Sequence, residues 1–80
     1  MSPDAIRERI RAALPDADVT LEDLTGTADH WKARIVSAAF AGCSPVERHR
    51  LVNRALAVEL AGPIHALTME LLTPHEASSS

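Results

Sequence analysis

His30, His65 and Cys43 are the side chains of this sequence with the most chemistry to offer. Neutral imidazole binds zinc, copper and iron, and a thiolate is both a nucleophile and a soft metal ligand. What these residues can do depends on which of them share one end of the fold. His30 stands just before an alternating segment, Trp31-Lys32-Ala33-Arg34-Ile35, and His65 opens another, Ala66 to Leu71. Cys43 follows the first segment. Parallel strands start at the same edge of a sheet. If these two are parallel, His30 and His65 lie at one rim, and Cys43 lies at the far end, about one strand length (~25 Å) away. Two imidazoles at a rim can be metal ligands or half-buried side chains bonded to backbone, and spacing alone leans to the second. Two ligands also do not close a tetrahedral site. A metal here would need ligands from a second molecule or from a cofactor.

The elements that position these residues read as helix, strand, strand, helix, strand. Ser2 is placed to cap a first helix, with Pro3 at its first position and Asp4 in its first turn. Ile6, Ile10, Ala13 and Leu14 recur at helical spacing until Pro15, and Arg7 and Arg11 fall together on what reads as a solvated face. Asp18 to Leu24 alternates as a half-buried strand, with Val19 and Leu21 one way and Thr20 and Glu22 the other. Thr25 to Asp29 is a short loop, which fits an antiparallel hairpin to the strand carrying Trp31, Ala33 and Ile35. Val36 to Phe40 continues or closes that strand.

Ser44-Pro45-Val46-Glu47 is the clearest local signal. Serine caps, proline takes the first helical position, and the glutamate closes a capping box. The predicted helix runs about 16 residues, with Leu51, Val52, Ala55, Leu56 and Leu60 as its apolar stripe. Gly62 and Pro63 end it. A helix of that length spans about 24 Å, enough to return beside an eight-residue strand. A strand–helix–strand crossover makes strands two and three parallel, with a right-handed connection. In the third strand Leu67, Met69 and Leu71 share one face and Ala66, Thr68 and Glu70 the other. Thr73-Pro74-His75-Glu76 begins a short final helix. The predicted architecture is an α/β (α+β) sandwich, αββαβ(α), with a three-stranded mixed sheet covered by helices on one face. Residues 1–76 form one domain, and 77–80 form a disordered tail.

Composition narrows the function. Eighty residues bury only about 60–65% of the surface of the unfolded chain, so the core is modest. The core is aliphatic, with Trp31 and Phe40 as the only aromatic residues. One cysteine excludes an internal disulfide and fits a reducing compartment. No apolar run approaches the ~20 residues that span a bilayer, and the N-terminus lacks a signal-peptide pattern. A cytoplasmic protein is expected. The net charge of −3 and pI near 5.7 argue against a nucleic-acid binder, which usually carries a basic footprint.

No catalytic constellation is present: there is no phosphate-cradling glycine loop, no Cys-x-x-Cys, and no serine with a base and an orienter. His49 reads as an edge-of-core residue, one turn before Val52. Arg50 and Arg54 project from the polar face of their helix, with Glu47 in reach of Arg50. They suit a solvated face better than a docking patch. Cys43, just outside a helix N-terminus, is equally compatible with an activated thiol and an inert one. His75 carries no signal.

Taken together, Phe40-x-Gly42, Arg48-His49-Arg50-Leu51-Val52-Asn53, Ile64-His65-Ala66-Leu67 and Thr73-Pro74 resemble the BolA family, over nearly the whole chain. Asp29-His30-Trp31 is similar to that family's Ser-His-Phe. The resemblance implies a fold similar to the class II KH type. It also implies a non-enzymatic adaptor that pairs with a monothiol glutaredoxin carrying Cys-Gly-Phe-Ser. The pair would bridge a 2Fe–2S cluster with glutathione, for iron–sulfur trafficking or iron and redox regulation. The family's C-terminal cluster histidine maps onto His65, with His30 the candidate second ligand. The isolated chain would then hold no cluster. Many relatives have a further Cys or His in the loop between strands one and two, where Gly26-Thr27-Ala28-Asp29 has neither. The family's Trp after Thr-Pro is also missing, which predicts a short or absent last helix. Some relatives are described as DNA-binding regulators of stress response and cell morphology. That alternative would place Lys32, Arg34, Arg48, Arg50 and Arg54 on phosphates, without the Gly-x-x-Gly clamp of KH domains. A bare interaction module without metal, and a weak homodimer, are also compatible with the sequence.

Overall fold

The first helix forms because Ile6 and Ile10, one turn apart, can both be buried against the sheet. They are fully buried in α1 (Pro3–Ala13), and Leu14 follows them into the core. Ala13, assigned above to the same stripe, is exposed. The structure is a computed structural model and describes residues 3–24, 26, 30–61 and 66–79. The Ser2 cap, the Gly62–Pro63 stop and His65 lie outside the described residues.

Strands β1 (Asp18–Asp23) and β2 (His30–Val36) pair antiparallel, and β3 (Ala66–Leu72) pairs parallel to β2, giving the order β1-β2-β3. The alternation seen in the sequence is the burial pattern. Val19, Trp31, Ala33, Ile35 and Leu71 are buried on the helix-covered face. Thr20, Glu22, Lys32, Thr68 and Glu70 are exposed on the other. The radius of gyration, 12.0 Å, is what a single packed chain of this length has, about 12 Å.

After β2 the chain turns sharply. Ser37 caps a short 3-10 turn, Ala38–Phe40, that drops the Phe40 ring into the core. Asp16 holds this corner. Its carboxylate accepts the Ser37 hydroxyl at 2.7 Å and the Ala38 N–H at 2.8 Å, and those two bonds, the hydroxyl first, keep its pKa below the usual value. Gly42, at φ 77°, then makes the left-handed turn that leads to Ser44.

The Ser44 capping box forms as its residues predict: the Glu47 N–H donates to Ser44 Oγ at 3.2 Å, and the Glu47 carboxylate accepts the Ser44 N–H. The helix it starts is not one continuous rod. It divides into α2 (Pro45–Ala55) and α3 (Ala57–Ala61) at Leu56, whose φ −107°, ψ 20° opens the turn. No glycine or proline causes this. The Leu56 N–H keeps its bond to the Val52 carbonyl, and α3 restarts with the Leu60 N–H on the Leu56 carbonyl. Leu56 is fully buried at the break, and Leu60, four residues on, packs against the core.

The chain ends in α4 (Pro74–Ser79). Ala77, Ser78 and Ser79, expected to be a disordered tail, belong to this helix. It is started by a second capping box that shares the hydroxyl-Pro-x-Glu pattern of the first. The Glu76 N–H donates to Thr73 Oγ1 at 3.2 Å, and the Glu76 carboxylate accepts the Thr73 N–H at 2.7 Å. Among the described residues no helix is long and apolar enough to cross a membrane.

Candidate functional site

The rim proposed from topology can be tested by register. The Leu24 N–H donates to the His30 carbonyl at 2.9 Å, closing the β1–β2 hairpin where β2 begins. Across the parallel pair, His30 stands opposite Ala66, the residue that follows His65 in the sequence. The hairpin tip and the start of β3 therefore share one end of the sheet. His30 is half-buried and, by alternation, shares the open face with Lys32 and Arg34. His65 itself lies outside the described residues. Among the described residues no three His, Cys, Asp or Glu side chains cluster as a metal site.

Cys43 is at the other end of β2, beyond the 3-10 turn, as expected. Its N–H donates to the Phe40 carbonyl at 3.0 Å, and its thiol makes a long 3.6 Å contact with the Ala39 carbonyl.

The basic residues divide into used and unused. Arg34 pairs with Glu70 across the open face, Nε to Oε1 at 3.3 Å. Arg48 is an internal tie, its side chain only 14% exposed. Its Nε donates to the Cys43 carbonyl at 3.1 Å, and its Nη1 donates to the Leu71 carbonyl at 3.0 Å and to Glu76 Oε1 at 2.7 Å. Its guanidinium also stands 5.9 Å from the centre of the Phe40 ring. One side chain thus joins the 3-10 corner, α2, β3 and α4. The same contacts lower the Glu76 carboxyl pKa to about 2, the Thr73 N–H contributing most and Arg48 next.

Arg48 is the residue that sequence reasoning misplaced. The edge-of-core position one turn before Val52, expected of His49, belongs to Arg48: His49 is exposed, and Arg48, four residues before Val52, is half-buried. Arg50 and Arg54 are exposed on α2. The carboxylate of Glu47, expected to pair with Arg50, serves the Ser44 cap instead. Arg7 and Arg11 are also not merely solvated: Arg7 Nε donates to the Val19 carbonyl at the outer edge of β1 at 3.3 Å, and Arg11 Nε donates to the Ala17 carbonyl, just before that strand, at 3.1 Å.

Fold and register together define a small α+β domain with a three-stranded mixed sheet and His30 at its rim. The chain belongs to the BolA family: the family model described as BolA-like protein matches residues 9–76. It is 40% identical over 77 residues to BolA-like protein 1 of Pongo abelii, covering 88% of this chain and 56% of that protein. It is 53% identical over 51 residues to the DNA-binding transcriptional regulator BolA of Vibrio cholerae, covering 64% of this chain and 48% of that protein. The chain thus spans about half the length of these relatives. Among solved structures, a Bol-like protein from Babesia bovis superposes with a TM-score of 0.86 at 38% identity, covering 99% of this chain and 92% of that one.

Proposed function

We propose that this BolA-family chain is a non-enzymatic adaptor that pairs with a monothiol glutaredoxin. His65, with His30 as the second candidate, would complete a 2Fe–2S cluster whose remaining ligands are the glutaredoxin and glutathione thiolates. The observation that carries this reading is the β2–β3 register. It sets His30 opposite Ala66, the residue that follows His65 in the sequence. Such a rim suits a shared cluster better than a private metal site, which would need four ligands. Histidine at one iron raises the potential of a 2Fe–2S centre, which favours transfer or sensing over tight storage. The chain's own part is to hold the imidazoles. β3 is anchored by Leu71 and the partly buried Leu67 and Met69, and this limits the entropy lost when a ligand at its start is engaged.

The regulator reading is supported by the name of the Vibrio cholerae relative. Against it, Arg48 is consumed inside the fold and Arg34 is paired with Glu70. Of the five cations it needs, Lys32, Arg50 and Arg54 are left.

The test is the visible absorption spectrum. Expressed alone, the chain should purify colourless. Co-expressed with a monothiol glutaredoxin, it should co-purify in a complex with 2Fe–2S absorption. Stoichiometric iron and sulfide on the isolated chain, or a colourless co-purified pair, would refute the proposal.

A further inference from the structure

Outer strands expose a row of backbone N–H and C=O groups, and such rows recruit a further strand unless they are guarded. Here the guards are arginines. Backbone groups of successive residues point to opposite sides of a strand, and two bonds fix the phase. The Leu24 N–H reaches β2 at the His30 carbonyl, and Leu72 offers its carbonyl to the Ser37 N–H. Odd-numbered residues of β1 and of β3 therefore present their backbone outward. On β1, Arg7 holds the outward carbonyl of Val19, and Arg11 holds that of Ala17 just before the strand begins. On β3, Arg48 holds that of Leu71. The other outward residues of β1 are Leu21 and Asp23, beside the charged Glu22. What remains on β3 is Leu67 and Met69, and among the described residues no hydrogen bond reaches either from outside the sheet.

We propose that the Leu67–Met69 stretch of β3 is where the cluster-sharing partner docks, by laying an extended backbone segment of its own along this edge. The proposal rests on the histidine-rim reading above and adds how the partner is held. Two observations select this occupant. The open stretch begins two residues after His65, so a strand added there delivers the rest of its protein to the rim. It is also short. A second copy using the whole of β3 would run past Leu71, where Arg48 and Glu76 stand. A three-residue foreign strand needs only Leu67 and Met69. Recognition of this kind uses main-chain groups and does not require the cluster to be present.

Amide hydrogen exchange reads these groups directly. The full chain is measured alone, with cluster-free monothiol glutaredoxin, and with the cluster-loaded pair. The Leu67 and Met69 amides should exchange fast in the free chain and slow by roughly tenfold or more in both complexes. Thr68 and Glu70, whose amides face β2, should be slow throughout. A complex in which Leu67 and Met69 keep their free rates overturns the proposal, even if cluster colour develops. Protection of the two amides without colour upholds the docking edge and overturns the shared cluster instead. Protection that appears in the chain alone and grows with its concentration assigns the edge to a second copy and overturns the partner assignment.

Discussion

A histidine at the end of a strand and an arginine inside a helix decide different things in this molecule. His65→Ala should abolish the cluster-bridged complex, His30→Ala should weaken it or alter its spectrum, and Cys43→Ser should leave it unchanged, since Cys43 sits at the opposite end of β2. Visible circular dichroism of the reconstituted pair ranks the three; a bleached Cys43→Ser with an intact His65→Ala would reverse the assignment. Arg48 matters to stability rather than to the rim. Truncating it leaves the Cys43 and Leu71 carbonyls and the Glu76 carboxylate short of a charged donor, so Arg48→Ala should cost about 2–3 kcal/mol. Urea unfolding should show this as a lower midpoint at unchanged slope. Arg48→Lys should recover only part of it, because an ammonium cannot reproduce the guanidinium fork. Two of these residues show what was legible. The placement of His30 follows from period-two alternation plus one crossover. The role of Arg48 does not, because its partners Leu71 and Glu76 lie 23 and 28 residues away, and a long side chain can bury its stem wherever the fold allows.

At the scale of elements, the starts were more legible than the middles. Ser44-Pro45-Val46-Glu47 and Thr73-Pro74-His75-Glu76 are local chemistry, and both cap the helices they precede. No residue type announces the break at Leu56, on either side of which Leu56 and Leu60 stay packed on the core. The second box makes α4 sensitive to acid. The Glu76 pKa is depressed from 4.5 to about 2, so ionised Glu76 contributes stability above about pH 4.5. That contribution fades as pH falls from 4.5 toward 2 and is gone below both values. Wild type should therefore unfold at a higher temperature than Glu76→Gln at pH 7, with the gap closing across that window. A gap that is constant down to pH 2 would mean that the carboxylate charge is not what matters.

For the whole molecule, the charge balance and the internal use of arginine predict poor nucleic-acid binding. Of the five cations the regulator reading places on phosphates, Arg34 and Arg48 are engaged within the fold, which leaves Lys32, Arg50 and Arg54. Log affinity should then fall against log salt with a slope no steeper than about −2.7, three contacts at about −0.9 each. A fluorescence anisotropy titration across salt concentrations measures this, and a steeper slope with tight binding to one duplex would restore the regulator reading.

The central strand is joined to its two neighbours by connections of very different length. β1 reaches β2 through a hairpin, whereas β3 arrives only after the 3-10 corner, α2 and α3 have intervened. Closing a long connection before its contacts form carries an entropy cost, which makes the parallel pairing the natural late event in folding. Until it happens, one flank of β2 is an unpaired edge, with Trp31 lacking its cross-strand neighbour Leu67. A nascent chain therefore passes through an interval in which a strand rich in apolar residues is open to wrong partners. The single tryptophan of the sequence sits at that seam, where its emission can report the moment the seam closes.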